Sequence, residues 1–293
     1  VIELSAKRSA RLRELIQDHI VVLPGAFNAL SARLIEREGF EGLYLSGAVL
    51  ANSVGGVPDV GLMALTELRD HAAHVAAVTT LPIIADADTG FGGPENAART
   101  VRVLESVGVS GIHIEDQEFP KRCGHLAGKK LVPADEMCAK IAAAAAAKTS
   151  SDFLLIARTD ARGVAGYDEA VERAHRYLDA GADGIFPEAL HHREELGRFA
   201  RDVDTILLAN MTEFGKTEYL TTDEFAELGY HLVIFPVTFQ RVAMKATEQA
   251  LRTLKAEGSQ KSLLDRMQTR RELYDLLAYQ ADAPPEITSR LDH

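Results

Sequence analysis

Eight times along this chain a short β-branched apolar run is followed by a segment with apolar residues at helical spacing. The runs lie at 20–24, 42–45, 82–85, 111–114, 153–157, 184–186, 205–209 and 232–235. The helix-patterned segments lie at 28–38, 66–78, 94–107, 134–148, 168–180, 193–200, 222–228 and 238–257. Gly39, Gly108, Gly181 and Gly229 stand just past four of them, where a helix commonly stops. Strands that alternate with helices pair in parallel. Eight such pairs predict closure into a (β/α)8 TIM-type barrel, and 293 residues suit one barrel with additions. A doubly wound open sheet is the alternative. It would want a Gly-rich dinucleotide turn after the first strand, and none stands there.

The additions are an extra helix at 6–18 and an amphipathic one at 262–279. No linker composition interrupts the pattern, so residues 1–293 are expected to form a single domain. A net charge of −11 argues against nucleic acid or an anionic membrane as partner. No apolar run is long enough to span a bilayer, and no signal-peptide pattern is present. With only Cys123 and Cys138, the composition predicts a reduced, cytoplasmic compartment. Cys138 sits in an alanine-rich helical stretch and reads as a packing thiol.

In such a barrel the active site lies at the C-terminal ends of the strands. The polar residues gather there: Tyr44 and Ser46 after the second strand, Asp86 and Asp88 after the third, His113 and Glu115 on the fourth. Arg158 and Asp160 follow on the fifth, Glu188 on the sixth, Asn210 and Thr212 on the seventh. Residues i and i+2 of a strand share a face, so Asp86 should point with Asp88, and His113 with Glu115. Clustered carboxylates repel unless a cation sits among them, and hard oxygens suit Mg2+ or Mn2+. The plainer alternative makes Asp88 a cap for the Thr89-Gly90 turn and Asp86 a solvated loop residue. Arg158 has two readings, an ion pair with Asp160 or an anion ligand. Gly90-Phe91-Gly92-Gly93 lacks a P-loop lysine and reads as a turn into the helix that opens at Pro94.

The stretch from Glu115 to His125 is the densest in chemistry. Cys123 stands beside Lys121, Arg122, Gly124 and His125. A thiol in basic, polar surroundings is placed for proton chemistry rather than packing. The segment 117–131 is expected to be a mobile active-site loop, with Gly124 and Gly128 as hinges.

Together these motifs resemble the isocitrate lyase/phosphoenolpyruvate mutase superfamily. The resemblance rests on Tyr44-Leu45-Ser46-Gly47, Asp86-Ala87-Asp88-Thr89-Gly90, His113-Ile114-Glu115-Asp116 and Lys121-Arg122-Cys123-Gly124-His125. Ala157-Arg158-Thr159-Asp160, Asn210-Met211-Thr212-Glu213 and Met267-Gln268-Thr269-Arg270 narrow it to the 2-methylisocitrate lyase family. It runs from about Val22 to about Tyr279, and the cysteine motif is specific to the C–C-cleaving branch.

The resemblance implies an Mg2+-dependent retro-aldol lyase, with Mn2+ as an alternative ion and a small tricarboxylate as substrate. By position, Asp86 and Asp88 would hold the metal, supported by Asp59 and Glu115. Ser46, Gly47 and Ala48 would bind the 2-oxo acid moiety. Cys123, Gly124, Arg158, Glu188, Asn210, Met211, Thr212, Arg241 and Arg270 would contact the rest. Cys123 would be the acid, Tyr44 a candidate to take the hydroxyl proton, and His125 part of the same catalytic set. It also implies a homotetramer, a dimer of dimers in which the C-terminal helix is swapped between subunits. The alternatives are a sister lyase for 2,3-dimethylmalate or isocitrate, a decarboxylase or phosphonate-type mutase, and a non-catalytic acid-binding protein.

Overall fold

The computed structural model describes residues 2–122, 124 and 128–280. Its eight strands are β1 (Val21–Pro24), β2 (Leu43–Leu45), β3 (Ile83–Asp86), β4 (Gly111–Glu115), β5 (Leu154–Thr159), β6 (Gly184–Pro187), β7 (Ile206–Asn210) and β8 (Leu232–Phe235). All neighbouring pairs are parallel, in the order β1-β8-β7-β6-β5-β4-β3-β2. A single bridge, Gly25 with Tyr44, and the Ala26 amide on the Tyr44 carbonyl at 2.9 Å close the ring between β1 and β2. Closure rules out the open sheet.

Alternation along each strand divides two cores. One set of side chains packs outward against the helices, with Leu43, Leu45, Ile83, Ile112 and Leu155 among them. The other fills the lumen, where Val21, Leu23, Ile84, Leu154, Ile156, Leu208, Leu232 and Ile234 meet Leu12, Leu15 and Ile16 of the helix Ile2–Asp18. That helix stoppers the bottom of the barrel. Continuing each lumen row upward by two residues reaches Asp86, His113 and Glu115, Arg158, Glu188 and Asn210. The lower lumen is therefore apolar and the upper lumen polar, which puts the site at the C-terminal mouth.

The segment 262–279 is not one helix. A 3-10 turn, Lys261–Arg266, ends at Met267 with extended backbone, and a separate helix runs Arg270–Leu276. Thr269 and Glu272 cause the break. The Glu272 amide donates to Thr269 Oγ1 at 3.2 Å while the Glu272 carboxylate accepts from the Thr269 amide at 2.6 Å. That reciprocal cap starts a new helix and stops continuation from the old one. No helix among the described residues is long and apolar enough to cross a membrane.

Candidate active site

Beyond β3 the chain does not stay extended. Asp88 has φ 47°, a left-handed conformation that aspartate tolerates better than most residues. The i, i+2 argument therefore fails for Asp86 and Asp88, yet a turn achieves the same juxtaposition. The Asp88 amide donates to Asp86 Oδ1 at 3.0 Å. A Cβ placed on Gly47 would lie 3.0 Å from Asp86 Oδ2 and 3.4 Å from Asp88 Oδ1, so both carboxylates face the start of the short helix Gly47–Leu50. The Gly47 amide points at Asp86 Oδ2, 3.3 Å away, and Ser46 Oγ caps the same helix.

Lys121 enters this cluster from the loop after β4. Its buried ammonium is 2.7 Å from Asp88 Oδ1 and paired with Asp59. Burial would lower its pKa, but Asp88, Glu115, Asp86 and Asp59 outweigh that and hold it above the ordinary lysine range. Burial also opposes ionisation of Asp86, yet His113, Lys121 and Arg158 keep its carboxyl below the usual value. Asp88 goes the other way: burial and then repulsion from Asp86 push it up to about 6. Glu115 is raised well above the usual range, by burial first.

His113, which the sequence placed on the Glu115 face without a role, packs at the centre of the lumen. Its Nε2 is 2.7 Å from the Tyr44 hydroxyl, and its ring stands edge-on to Phe186. Burial takes His113 down to about 4 and, with Asp86, raises Tyr44 well above 10. Near neutral pH the imidazole is uncharged and the phenol protonated. With Tyr44 donating to Nε2, the ring proton sits on Nδ1, facing Asp86 Oδ1 at 3.7 Å. Tyr44 thus donates to His113.

Arg158 makes the ion pair with Asp160 that its sequence position suggested. Its Nε reaches Asp160 Oδ2 at 3.0 Å, while Nη2 lies 3.3 Å from Glu115 Oε2 and 3.5 Å from Glu188 Oε2. Its guanidinium covers the Phe186 ring at 5.1 Å. Asn210 Nδ2 donates to Glu188 Oε2 at 3.2 Å. A cavity of about 490 Å3 opens above these groups, with Tyr44, Ser46, Ala48, Asp59, Asp86 and Gly124 in its wall. Arg158, Glu188, Asn210, Thr212 and Arg241 add to its polar lining, with Lys121 and Arg122 among the others, and Phe186 with Ile234 form an apolar corner.

Two expected residues lie elsewhere. Met211 follows Asn210 by one position, and the period of two that sends Asn210 into the lumen sends Met211 into the outer core. Arg270 is exposed at the start of the last helix, outside the cavity wall, because the Thr269 cap turns that helix onto the barrel flank. Arg241 reaches the mouth from the helix Thr238–Glu257, half-exposed and 3.7 Å from Glu213 Oε2. Cys123 and His125 lie outside the described residues. Gly124 between them is described, and a Cβ there would lie 2.5 Å from both Arg158 Nη2 and Glu188 Cγ. Only glycine lets the backbone approach the site this closely.

The donor set fits a hard divalent cation in part. Glu115 Oε1 is buried and receives no hydrogen bond, and Asp88, Asp86 and Asp59 join Glu115 in acting on the buried Lys121 ammonium. Among the described residues no three such side chains converge as a ready-made cage. That pattern matches Mg2+, which takes one or two carboxylates and keeps its other positions for water and substrate oxygens.

A larger cavity, about 670 Å3, shares Lys121 with the first and has Asp88, Met63, Phe91, Phe119 and Lys140 in its wall. Asp86, Arg158, Glu188 and Asn210 line only the smaller one, which makes it the candidate site.

Comparison with known proteins agrees with this geometry. The phosphoenolpyruvate phosphomutase family model matches residues 12–255. A 2-methylisocitrate lyase of Aeropyrum pernix is 54% identical over 92% of this chain and 86% of that protein. A probable 2-methylisocitrate lyase of Corynebacterium glutamicum is 52% identical over 95% of this chain and 92% of its own length. Among solved structures, a 2,3-dimethylmalate lyase superposes with a TM-score of 0.87 at 38% identity, covering 93% of this chain and 91% of that one. The chain is a member of the phosphoenolpyruvate mutase/isocitrate lyase superfamily and groups there with the 2-methylisocitrate lyases.

Proposed function

We propose that the protein cleaves 2-methylisocitrate to pyruvate and succinate; relatives 52% and 54% identical are named as 2-methylisocitrate lyases, the first as a probable one. The observation that carries the reading is the upper lumen itself: Asp86 from β3 and Arg158 from β5 line one cavity whose corner, Phe186 and Ile234, is apolar. Asp86 and Asp88 would hold Mg2+, or Mn2+ in its place, with Asp59 and Glu115 holding waters around it. When bound, the ion supplies Lewis-acid stabilisation of the negative charge that develops beside the substrate's 2-hydroxyl and carboxylate.

The chain's own groups account for the rest. Ser46, Gly47 and Ala48 bind the pyruvate end. Arg158, Asn210, Thr212 and Arg241 bind the carboxylates of the succinate end. The hydroxyl proton passes to water, the oxygen becomes the 2-oxo group of pyruvate, and the electron pair of the breaking C–C bond passes to the succinate fragment. Cys123 as a thiol returns a proton to that carbon. Tyr44, hydrogen-bonded to His113, reaches the hydroxyl side of the cavity, and it can accept a proton only after giving up its own. The apolar corner takes the extra methyl, a preference worth about 1–3 kcal/mol.

The exposed position of Arg270 favours a second reading, a diacid such as 2,3-dimethylmalate, because a third carboxylate then needs no partner there. Purified protein with Mg2+ is offered 2-methylisocitrate, isocitrate, 2,3-dimethylmalate and oxaloacetate, following 2-oxo acid and succinate. The highest kcat/KM is expected on 2-methylisocitrate, and an equal or higher value on another acid sinks the assignment.

The assembly is proposed to be a tetramer built from dimers that exchange C-terminal helices. The 20-residue helix Thr238–Glu257 buries no residue within one chain and exposes Val242, Met244, Leu251 and Leu254. Such an exchange would also give Arg270 a route to a neighbouring site. Light scattering is expected to return four times the chain mass, and a monomer would refute it.

A further inference from the structure

The side chain that the chemistry above leaves unexplained is Lys129. It stands on the arm of the 117–131 segment that returns to the barrel, where the Glu118 amide meets the Lys130 carbonyl at 2.8 Å. Its ammonium lies 2.6 Å from Asp160 Oδ1, with side-chain exposures of 1% and 0%. The same ammonium donates to the Gly124 carbonyl. Gly163 lies against it, so that a Cβ there would come within 3.3 Å of Nζ. A cation is costly to bury unless paired and hydrogen-bonded, and this one is both.

Asp160 is shared between two cations. Its oxygens also take Arg158 Nε at 3.0 Å and Nη2 at 3.3 Å, and its amide donates to Asp116 Oδ1 at 2.8 Å. Asp116 is itself held by Thr159 and Tyr177, each at 2.8 Å, so Asp160 is tied from behind. One ammonium therefore fixes the Gly124 carbonyl directly and the Arg158 guanidinium through Asp160. We infer that Lys129 is a positioning residue for the Arg158 end of the substrate site. It sets the spacing between the Gly124 backbone and Arg158, and it shares the charge of Asp160 so that Arg158 retains positive charge for an anion. Resting on the lyase reading, the fragment served is the dicarboxylate product. The 2-oxo acid end would lie at Ser46 and Ala48, just past the end of β2 and three strands away.

The test compares Lys129→Met and Lys129→Gln with the unaltered enzyme for succinate and pyruvate binding by calorimetry with Mg2+, alongside turnover and thermal unfolding. The succinate Kd is expected to rise at least tenfold and the pyruvate Kd to stay within twofold. Adding Asp160→Asn to Lys129→Met should cost no more than the larger single change, since both act through one carboxylate. Equal shifts for both ligands, no shift for succinate, multiplying losses, or failure of both variants to fold would assign Lys129 to stability and overturn the inference. Absence of 2-methylisocitrate cleavage by the unaltered enzyme would instead overturn the lyase reading. The succinate-to-pyruvate ratio would still report on Lys129.

Discussion

The barrel buries an arginine at each end, and the two are held in opposite ways. At the bottom, Arg8 donates to the carbonyls of Ala76 at 2.8 Å, Gly108 at 3.3 Å and Thr79. These carbonyls stand at or just beyond the C-terminal ends of two helices, where a cation satisfies groups the helix leaves over. Its partners are neutral, so burial takes it down to about 10 although Glu36 pulls the other way. At the top, burial acts on Arg158 in the same sense, but Asp160, Glu115, Glu188 and Asp86 outweigh it and hold it well above the ordinary value. The bottom arginine spends its donors on the fold. The top one sits in an excess of acceptors, where Glu115 Oε1 and Asn210 Oδ1 still lack a hydrogen-bond donor among the described residues. Buried acceptors left over cost roughly 1–3 kcal/mol each, and a bound cation or substrate relieves that cost. The lower mouth serves stability and the upper one chemistry.

Exchanging the two arginines' roles would break this comparison. Arg158→Lys keeps the charge but loses the fork, and kcat/KM should fall about 100-fold or more with little change in Tm. Arg8→Met should leave kcat/KM within twofold while lowering unfolding free energy by about 2–3 kcal/mol in urea titrations. An active Arg158→Lys enzyme, or an Arg8→Met enzyme that folds firmly but turns over slowly, would erase the distinction.

The smallest expected effect sharpens it. Asp88 is raised from 3.8 to about 6 because its ionised form is disfavoured next to Asp86 in a buried site. Its contribution to stability in the metal-free protein is therefore fully present below pH 3.8 and is lost as pH rises toward 6. A divalent cation needs the carboxylate, so Mg2+ binding should release protons. Affinity should fall about tenfold per unit below pH 6 and level off above it. Calorimetry in two buffers of different ionisation enthalpy measures both. A flat affinity between pH 5 and 7 would remove Asp88 from the metal site.

Much of this site was legible before any coordinates. Every expected strand lies within two residues of an observed one, because short apolar runs leave little latitude in a buried parallel sheet. Their positions at the strand ends then put His113, Glu115, Arg158 and Asn210 at one mouth. Period two, had it been applied to Met211, would have sent it outward. Asp88 was placed correctly for the wrong reason, since a left-handed turn and not a strand brings it to Asp86. The Thr269–Glu272 cap that splits the last helical segment was present as a Ser/Thr-x-x-Glu pattern.

The amino-acid sequence by itself determined the eightfold repeat, the closed barrel, the end at which polar groups collect and the family. Those follow from local periodicity and short motifs, which are written in neighbouring residues. Only the tertiary structure decided that Tyr44 leans on His113, that Lys121 lies among the carboxylates, and that Lys129 ties Gly124 to Asp160. It also decided that Arg8 seals two helix ends from 68 and 100 residues away. These pairings join distant parts of the chain, and burial sets their strength, because a charge acts strongly only where the fold has excluded water.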